Sequence, residues 1–158
     1  MSQLGEGSCQ CGQVRYTLQG EPALTYACFC YECQKRTGSA FSMGMMVAAD
    51  NIEISGDMTA FQRVSEAGET NTRYSCGGCG NVIYGVGSLT PALYKLQPGT
   101  LNDTRDVEPD VYIWAKRKPS WLQLPALAPQ FDEQPTDPAE VIIAALAYRE
   151  ARREQRET

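Results

Sequence analysis

Residues 27–41 read ACFCYECQKRTGSAF and set Cys28, Cys30 and Cys33 within six positions of a chain that has no histidine. Working outward, the other four of the seven cysteines also fall in tight pairs: Cys9 and Cys11 as C-x-C in GSCQCGQVRY, Cys76 and Cys79 as C-x-x-C in YSCGGCGNVIY. An odd count leaves one thiol over in any complete disulfide framework, and a reducing compartment keeps thiols free, so the spacing favours metal ligation. Structural zinc takes four ligands in a tetrahedron, and two short-range pairs brought together across a fold supply them. Cys9, Cys11, Cys76 and Cys79 are therefore expected to hold one structural zinc. The glycines of CGGCG let the backbone turn there and aim N–H groups at sulfur. Cys28, Cys30 and Cys33 then make a second set with three thiolates and no fourth cysteine, the pattern of a labile or catalytic zinc with an exchangeable position. A soft sulfur suits that position better than hard oxygen, which points to a small-molecule thiol that meets an electrophile.

Three other uses of these cysteines compete. Both sets could be purely structural, with Asp, Glu or water completing the second, which would make the chain a non-catalytic zinc module for protein interaction. A redox use of Cys30 and Cys33 belongs beside a βαβ pattern, which the sequence lacks, and the spacings do not match the ferredoxin runs of iron–sulfur proteins.

Composition narrows the partners. With 158 residues, 42% of them hydrophobic, the chain is expected to form one soluble globular domain. A net charge of -5 and a pI near 4.8 argue against nucleic acid, whose affinity rests on neutralising phosphates. No run approaches the roughly 18 apolar residues of a membrane span. The start, MSQLGEGSCQ, has no basic stretch followed by an apolar core, so the expected location is cytoplasmic.

The hydrophobic pattern is mainly that of strands. QVRYTLQG alternates Val14, Tyr16 and Leu18 against Arg15 and Thr17, and ALTYA is expected to be its partner. CYECQKRTG reads as a loop entering at most one helical turn before Gly38. AFSMGMMVA, NIEISG, MTAFQRVS and TNTRYSC are further short strands, and VYIWAKRKPSWLQL more extended chain broken at Pro119, a series that favours a mainly β sandwich or barrel-like core. After the proline-rich LPALAPQFDEQP, the segment TDPAEVIIAALAYREARREQRET is the one convincing long helix, with Asp137 as cap, Pro138 at its first position and Glu140 three residues on.

The order GSCQCGQVRY, CFCYECQKRTGSAF, YSCGGCGNVIY resembles the glutathione-dependent formaldehyde-activating enzyme family, whose domain also occurs in centromere protein V. The resemblance covers about residues 5 to 132, leaving 133–158 as a C-terminal extension, and all seven cysteines fall on its pattern. It implies an irregular, zinc-stabilised, mostly β fold with two zinc ions: Cys9, Cys11, Cys76 and Cys79 on the structural one, Cys28, Cys30 and Cys33 on the labile or catalytic one. It implies glutathione near the middle cluster and carbon–sulfur lyase or synthase chemistry on a glutathione adduct of an aldehyde such as formaldehyde. Phe29 stands where the family often carries histidine, and the long helix extends beyond the usual domain end, suggesting a self-association surface.

Lys35 and Arg36 directly follow the middle cluster and could fix a carboxylate of a glutathione-like ligand. Lys116, Arg117 and Lys118, between Trp114 and Trp121, are a second place where cations and aromatics could frame an anion; the plainer reading is a surface strand with two buried tryptophans. Phe29, Tyr31 and Phe41 could line an apolar pocket or pack the core, while Met43, Met45 and Met46 read as strand packing. With no histidine, proton transfer falls to zinc-bound water, Tyr31, Glu32 or the substrate. On the helix, Arg149, Arg152, Arg153 and Arg156 interleave with Glu150, Glu154 and Glu157 as a solvated ion-pair face. Val141, Ile142, Ile143, Leu146 and Tyr148 must face either the same chain or a partner.

Overall fold

The computed structural model describes residues 3–66 and 68–157, with side chains described over 5–66 and 68–156. It is mainly β with one long C-terminal helix, as the strand pattern predicts, and it divides into two compact units.

The first unit comprises residues 1–23 and 44–107. Its three-stranded sheet runs β1 (Gln3–Ser8), β2 (Arg15–Gln19), β5 (Ile52–Ser55), with β2 in the middle and both pairings antiparallel. The alternation in β2 works as expected: Tyr16 and Leu18 are buried, and Val14, just before the strand, is fully enclosed. The partner differs, because QLGEGS and NIEISG flank β2 and ALTYA does not. The rest of the unit is an antiparallel run in the order β4 (Ser42–Ala48), β9 (Leu93–Leu96), β8 (Val82–Gly87), β7 (Thr70–Cys76), β6 (Met58–Val64). Tyr74, Tyr84 and Tyr94 stack face to face across three of these strands, with centroids 4.6 and 4.5 Å apart. Cross-strand aromatic pairs of this kind add about 0.5–1.5 kcal/mol each beyond the area they bury. Met45, Val47, Ile83 and Leu96 complete the core with the residues of β2. Strand β7 ends on Cys76, so this sheet delivers one metal-ligand candidate directly.

The second unit comprises residues 24–43 and 108–158. Here ALTYA becomes β3 (Leu24–Cys28), which pairs in parallel with β10 (Val111–Ile113), matching Tyr26 to Val111 and Cys28 to Ile113. Helix α1 (Tyr31–Thr37) is longer than the single turn expected of CYECQKRTG. It starts on Cys30, whose Sγ accepts the Cys33 N–H, and stops at Gly38, which takes a left-handed φ of 65° that glycine adopts without steric cost. Past β10 the chain forms a 3-10 turn at Ala115–Arg117, so VYIWAKRKPSWLQL is extended only at its beginning. Phe29 is fully buried and packs on Phe41 and Tyr112, with centroids 5.4 and 6.4 Å apart, which makes Phe29 core. Trp114 is half-buried and Trp121 exposed, so the reading of two buried tryptophans does not hold.

Helix α2 (Pro138–Glu157) begins where expected, with Asp137 Oδ1 accepting the Ala139 N–H at 2.9 Å. It packs on β3 and β10. Its basic residues are not simply solvated. Arg149 and Arg152 turn inward to Asp110, 2% exposed, whose Oδ2 also accepts the Thr25 N–H of β3 at 2.7 Å. Arg152 and Arg156 also pair with Glu108. An Arg153–Glu157 pair involves a side chain outside the described residues. Of the apolar helix residues, Ile142, Ile143 and Leu146 are exposed, while Tyr148 packs against the core around Phe29.

Candidate metal centres

Each unit carries one cysteine cluster. In the first, the sulfurs of Cys9, Cys11, Cys76 and Cys79 all lie within 4.8 Å of one another. Cys9 and Cys11 approach to 3.4 Å, and Cys11 and Cys76 to 3.7 Å. A tetrahedron of sulfurs around zinc, with Zn–S near 2.3 Å, has edges of about 3.8 Å, so the donor set has the size and the soft chemistry that zinc takes. The local fold aims amides at these sulfurs. Val14 N–H donates to Cys9 Sγ at 3.2 Å and Gly78 N–H to Cys76 Sγ at 3.4 Å. Gly80, with φ 74°, closes the turn by donating its N–H to the Cys76 carbonyl at 2.9 Å. Asn81 joins the two pairs by accepting the Gln10 N–H at 3.1 Å. Cys9 and Cys76 are buried; Cys11 and Cys79 reach the surface.

Four thiols this close cannot all ionise without a cation. Burial opposes ionisation of Cys9, yet the Val14 amide and the other three sulfurs hold it down to about 6. The Gln13 amide works to lower Cys11, but Cys9, burial, Cys79 and Cys76 push it up to about 12. One sulfur thus sheds its proton at the expense of its neighbour, the arrangement that a divalent cation relieves.

In the second unit the sulfurs of Cys28, Cys30 and Cys33 lie within 4.8 Å of one another. Strand β3 ends on Cys28, Cys30 caps α1, and Cys33 stands in the first turn of that helix, so a strand end and a helix start converge on one point. Cys28 and Cys30 are buried and Cys33 is half-buried. The sulfurs of Cys28 and Cys30 hold Cys33 well below the ordinary thiol range against the effect of burial, with the Ser42 hydroxyl and the Arg36 charge assisting. The sulfurs of Cys30 and Cys33, then burial, push Cys28 up. This donor set also fits zinc, with three sulfurs in place of four.

Of the flanking cations, Arg36 is half-buried and acts electrostatically on Cys33, while Lys35 is exposed. Tyr31 stands beside Cys30 with 57% of its surface exposed. Ser42 and Gln34 were not legible as site residues. Ser42 opens β4 without a motif to mark it, yet it is buried and bonds Cys33. Gln34 donates its Nε2 hydrogens to the carbonyls of Phe29 at 2.8 Å and Arg117 at 3.3 Å, tying the cysteine loop to the 3-10 turn.

Fold and sites together define a mainly β protein with two separate all-cysteine centres, each able to hold a metal ion. The family model of the glutathione-dependent formaldehyde-activating enzyme matches residues 5–117, and the chain belongs to that family. A Halomonas elongata protein provisionally named as such an enzyme is 24% identical over 125 residues, covering 75% of this chain and 80% of its own. A Fusarium vanettenii protein with the same provisional name is 30% identical over 83 residues, which are 51% of this chain but 44% of the relative, so the match spans less than half of that longer protein. A solved Rhodobacter sphaeroides structure shares the fold, with a TM-score of 0.50 at 18% identity over 64% of this chain and 91% of that one. No helix among the described residues is long and apolar enough to cross a membrane.

Proposed function

We propose that the chain is a zinc-dependent carbon–sulfur lyase or synthase that joins a small thiol, glutathione in the first instance, to an aldehyde or related electrophile, and works at Cys28, Cys30 and Cys33. The observation that carries this reading is the three-sulfur cluster itself: soft donors preassembled within 4.8 Å, one short of a closed tetrahedron, in a chain of this family. Zinc held there would supply a Lewis acid that lowers the pKa of a thiol. The chain's own residues do the rest. Cys28, Cys30 and Cys33 fix the site, the Ser42 hydroxyl orients Cys33, and Arg36 with Lys35 supplies positive charge for an anionic thiol. In the reaction the thiol sulfur bonds to the carbonyl carbon, the C=O π pair moves to oxygen, and that oxygen takes the proton the thiol gave up. Tyr31 and Glu32, in the first turn of α1, are the residues proposed to pass it, with water or the substrate itself as the alternative.

Cys9, Cys11, Cys76 and Cys79 are proposed to hold a second, structural zinc. The family domain is proposed to span 5–132, with 133–158 as an extension, and the protein to act in the cytoplasm. The exposed Ile142, Ile143 and Leu146 are its proposed self-association surface. The enzyme reading is tested by mixing glutathione and formaldehyde with zinc-loaded protein and following S-hydroxymethylglutathione by NMR exchange. Acceleration lost in Cys30→Ser supports it. An unchanged exchange rate, with no glutathione binding, leaves a non-catalytic zinc module.

A further inference from the structure

Helix α2 lies wholly beyond residue 117, where the family match ends, yet it packs on β3, the strand that delivers Cys28. Two separate sets of contacts lead from α2 to the three-sulfur centre, both inside the second unit. The first is polar and passes through Asp110, the residue before β10. Asp110 clasps Thr25 of β3 twice: its N–H donates to the Thr25 carbonyl at 2.7 Å, and its Oδ2 accepts the Thr25 N–H at 2.7 Å. At the other end of the same pairing, Ile113 lies opposite Cys28, and its carbonyl accepts the Phe29 N–H at 3.1 Å. The segment that carries Cys28 and leads to Cys30 is therefore fixed to β10 at Thr25 and at Phe29. Helix α2 supplies the cations that the buried Asp110 carboxylate needs: Arg149 meets it with Nε at 3.2 Å and Nη2 at 2.5 Å, and Arg152 joins from one turn on.

The second set is apolar. Phe29 sits between Cys28 and Cys30 in the sequence, is fully buried, and packs on Phe41 and Tyr112 in a cluster against which Tyr148 of α2 also packs. The Arg152 guanidinium lies 4.8 Å from the Tyr148 ring centre, so one arginine touches both the ring and Asp110. Protein interiors are close-packed, and a gap opened at Tyr148 is passed to the side chains around it. A three-ligand set has no spare ligand, so displacement of Cys28 or Cys30 weakens its hold on a metal directly.

We propose that α2 is a brace for the three-sulfur centre, with Tyr148 and Arg149 as positioning residues that set how firmly Cys28, Cys30 and Cys33 retain a metal ion. The inference rests on the reading of those three cysteines as a metal centre. The four-sulfur centre belongs to the other unit and serves as the internal control. Arg149→Lys keeps the positive charge but not the two-pronged grip on Asp110, because an ammonium lacks the planar fork of a guanidinium. Tyr148→Leu removes the ring from the Phe29 cluster and from Arg152, whereas Tyr148→Phe keeps it.

The test follows zinc release from the zinc-loaded full chain to a chromogenic chelator, with Cys30→Ser identifying the faster phase by removing it. Tyr148→Leu and Arg149→Lys should each speed that phase about tenfold or more, the scale on which the residues around a ligand set control metal affinity, and leave the slower phase unchanged. Tyr148→Phe should release zinc at the wild-type rate. With cobalt(II) in place of zinc, the thiolate-to-metal charge-transfer bands that Cys30→Ser removes should shift in Tyr148→Leu and Arg149→Lys while circular dichroism shows a folded chain, a change that lost stability alone does not produce. An unchanged faster phase with unshifted bands in both variants overturns the proposal while the metal centre stands. Equal acceleration of both phases overturns it too, since that is a general loosening of the fold. If the wild type takes up no zinc or cobalt that Cys30→Ser removes, the metal reading of the three-sulfur set fails and takes this proposal with it.

Discussion

Replacing Asp110 by Asn removes one negative charge from a place where two cations depend on it. The Asp110 carboxylate is 2% exposed and receives Arg149 Nη2 at 2.5 Å, Arg149 Nε at 3.2 Å, Arg152 and the Thr25 amide; the side chains of Arg149 and Arg152 are themselves 13% and 16% exposed. Breaking a buried pair by removing one partner costs about 3–5 kcal/mol, because the remaining charge stays desolvated. Asn keeps one carbonyl oxygen for the Thr25 amide, which places the expected loss at the lower end, about 3 kcal/mol. For a chain of this length that is a fall of about 6–12 °C in Tm. Urea denaturation followed by far-UV circular dichroism measures it, with loss of α2 helicity expected in the same transition. The exposed pair of Asp103 and Arg105, with side chains 58% and 87% exposed, is the control: Asp103→Asn should leave the urea midpoint nearly unchanged. If Asp110→Asn is as mild as Asp103→Asn, the buried pairs do not hold α2 in place and the reasoning is wrong.

Cys76→Ser should remove a ligand from the four-sulfur site and lower stability by several kcal/mol or prevent folding, whereas Cys30→Ser should fold; equal loss of the fold in thermal denaturation would make the middle cluster structural. Burial pushes Tyr16, Tyr84 and Tyr112 up to about 12 from an ordinary value of 10. The folded protein therefore keeps protons that the unfolded chain releases, and stability present below pH 10 should drain away between pH 10 and 12. Tyr16→Phe, which loses the hydroxyl bonded to Thr100 at 2.8 Å, should flatten part of that slope in urea titrations and cost about 1 kcal/mol at neutral pH.

The grouping of the cysteines was readable because ligand spacing is a local property: C-x-C and C-x-x-C bring two sulfurs to one point whatever the rest of the chain does, and both clusters assemble as their spacing implies. The alternation in β2 was equally local. What sequence missed depends on distance along the chain. Consecutive strands usually meet, which is why ALTYA reads as the partner of the strand before it, yet it lies parallel to Val111–Ile113, and a parallel pairing leaves no turn to announce it. The strand Gln3–Ser8 shows no alternation to mark it. Helix α1 was underestimated because its cap is a cysteine, outside the usual set of Ser, Thr, Asp and Asn. Arg149 and Arg152 read as a solvated face because their glutamates are close in sequence, while their buried partner Asp110 is 39 and 42 residues away.

Elemental analysis of protein purified without chelator, repeated after mild chelation, tests most directly whether one closed and one open thiolate centre are present. The four-sulfur site has a complete tetrahedral donor set and the three-sulfur site does not, so about two zinc ions per chain should fall to about one while the circular dichroism spectrum stays folded. A single zinc that resists chelation, or visible iron–sulfur absorbance, would contradict the division of the seven cysteines into four and three.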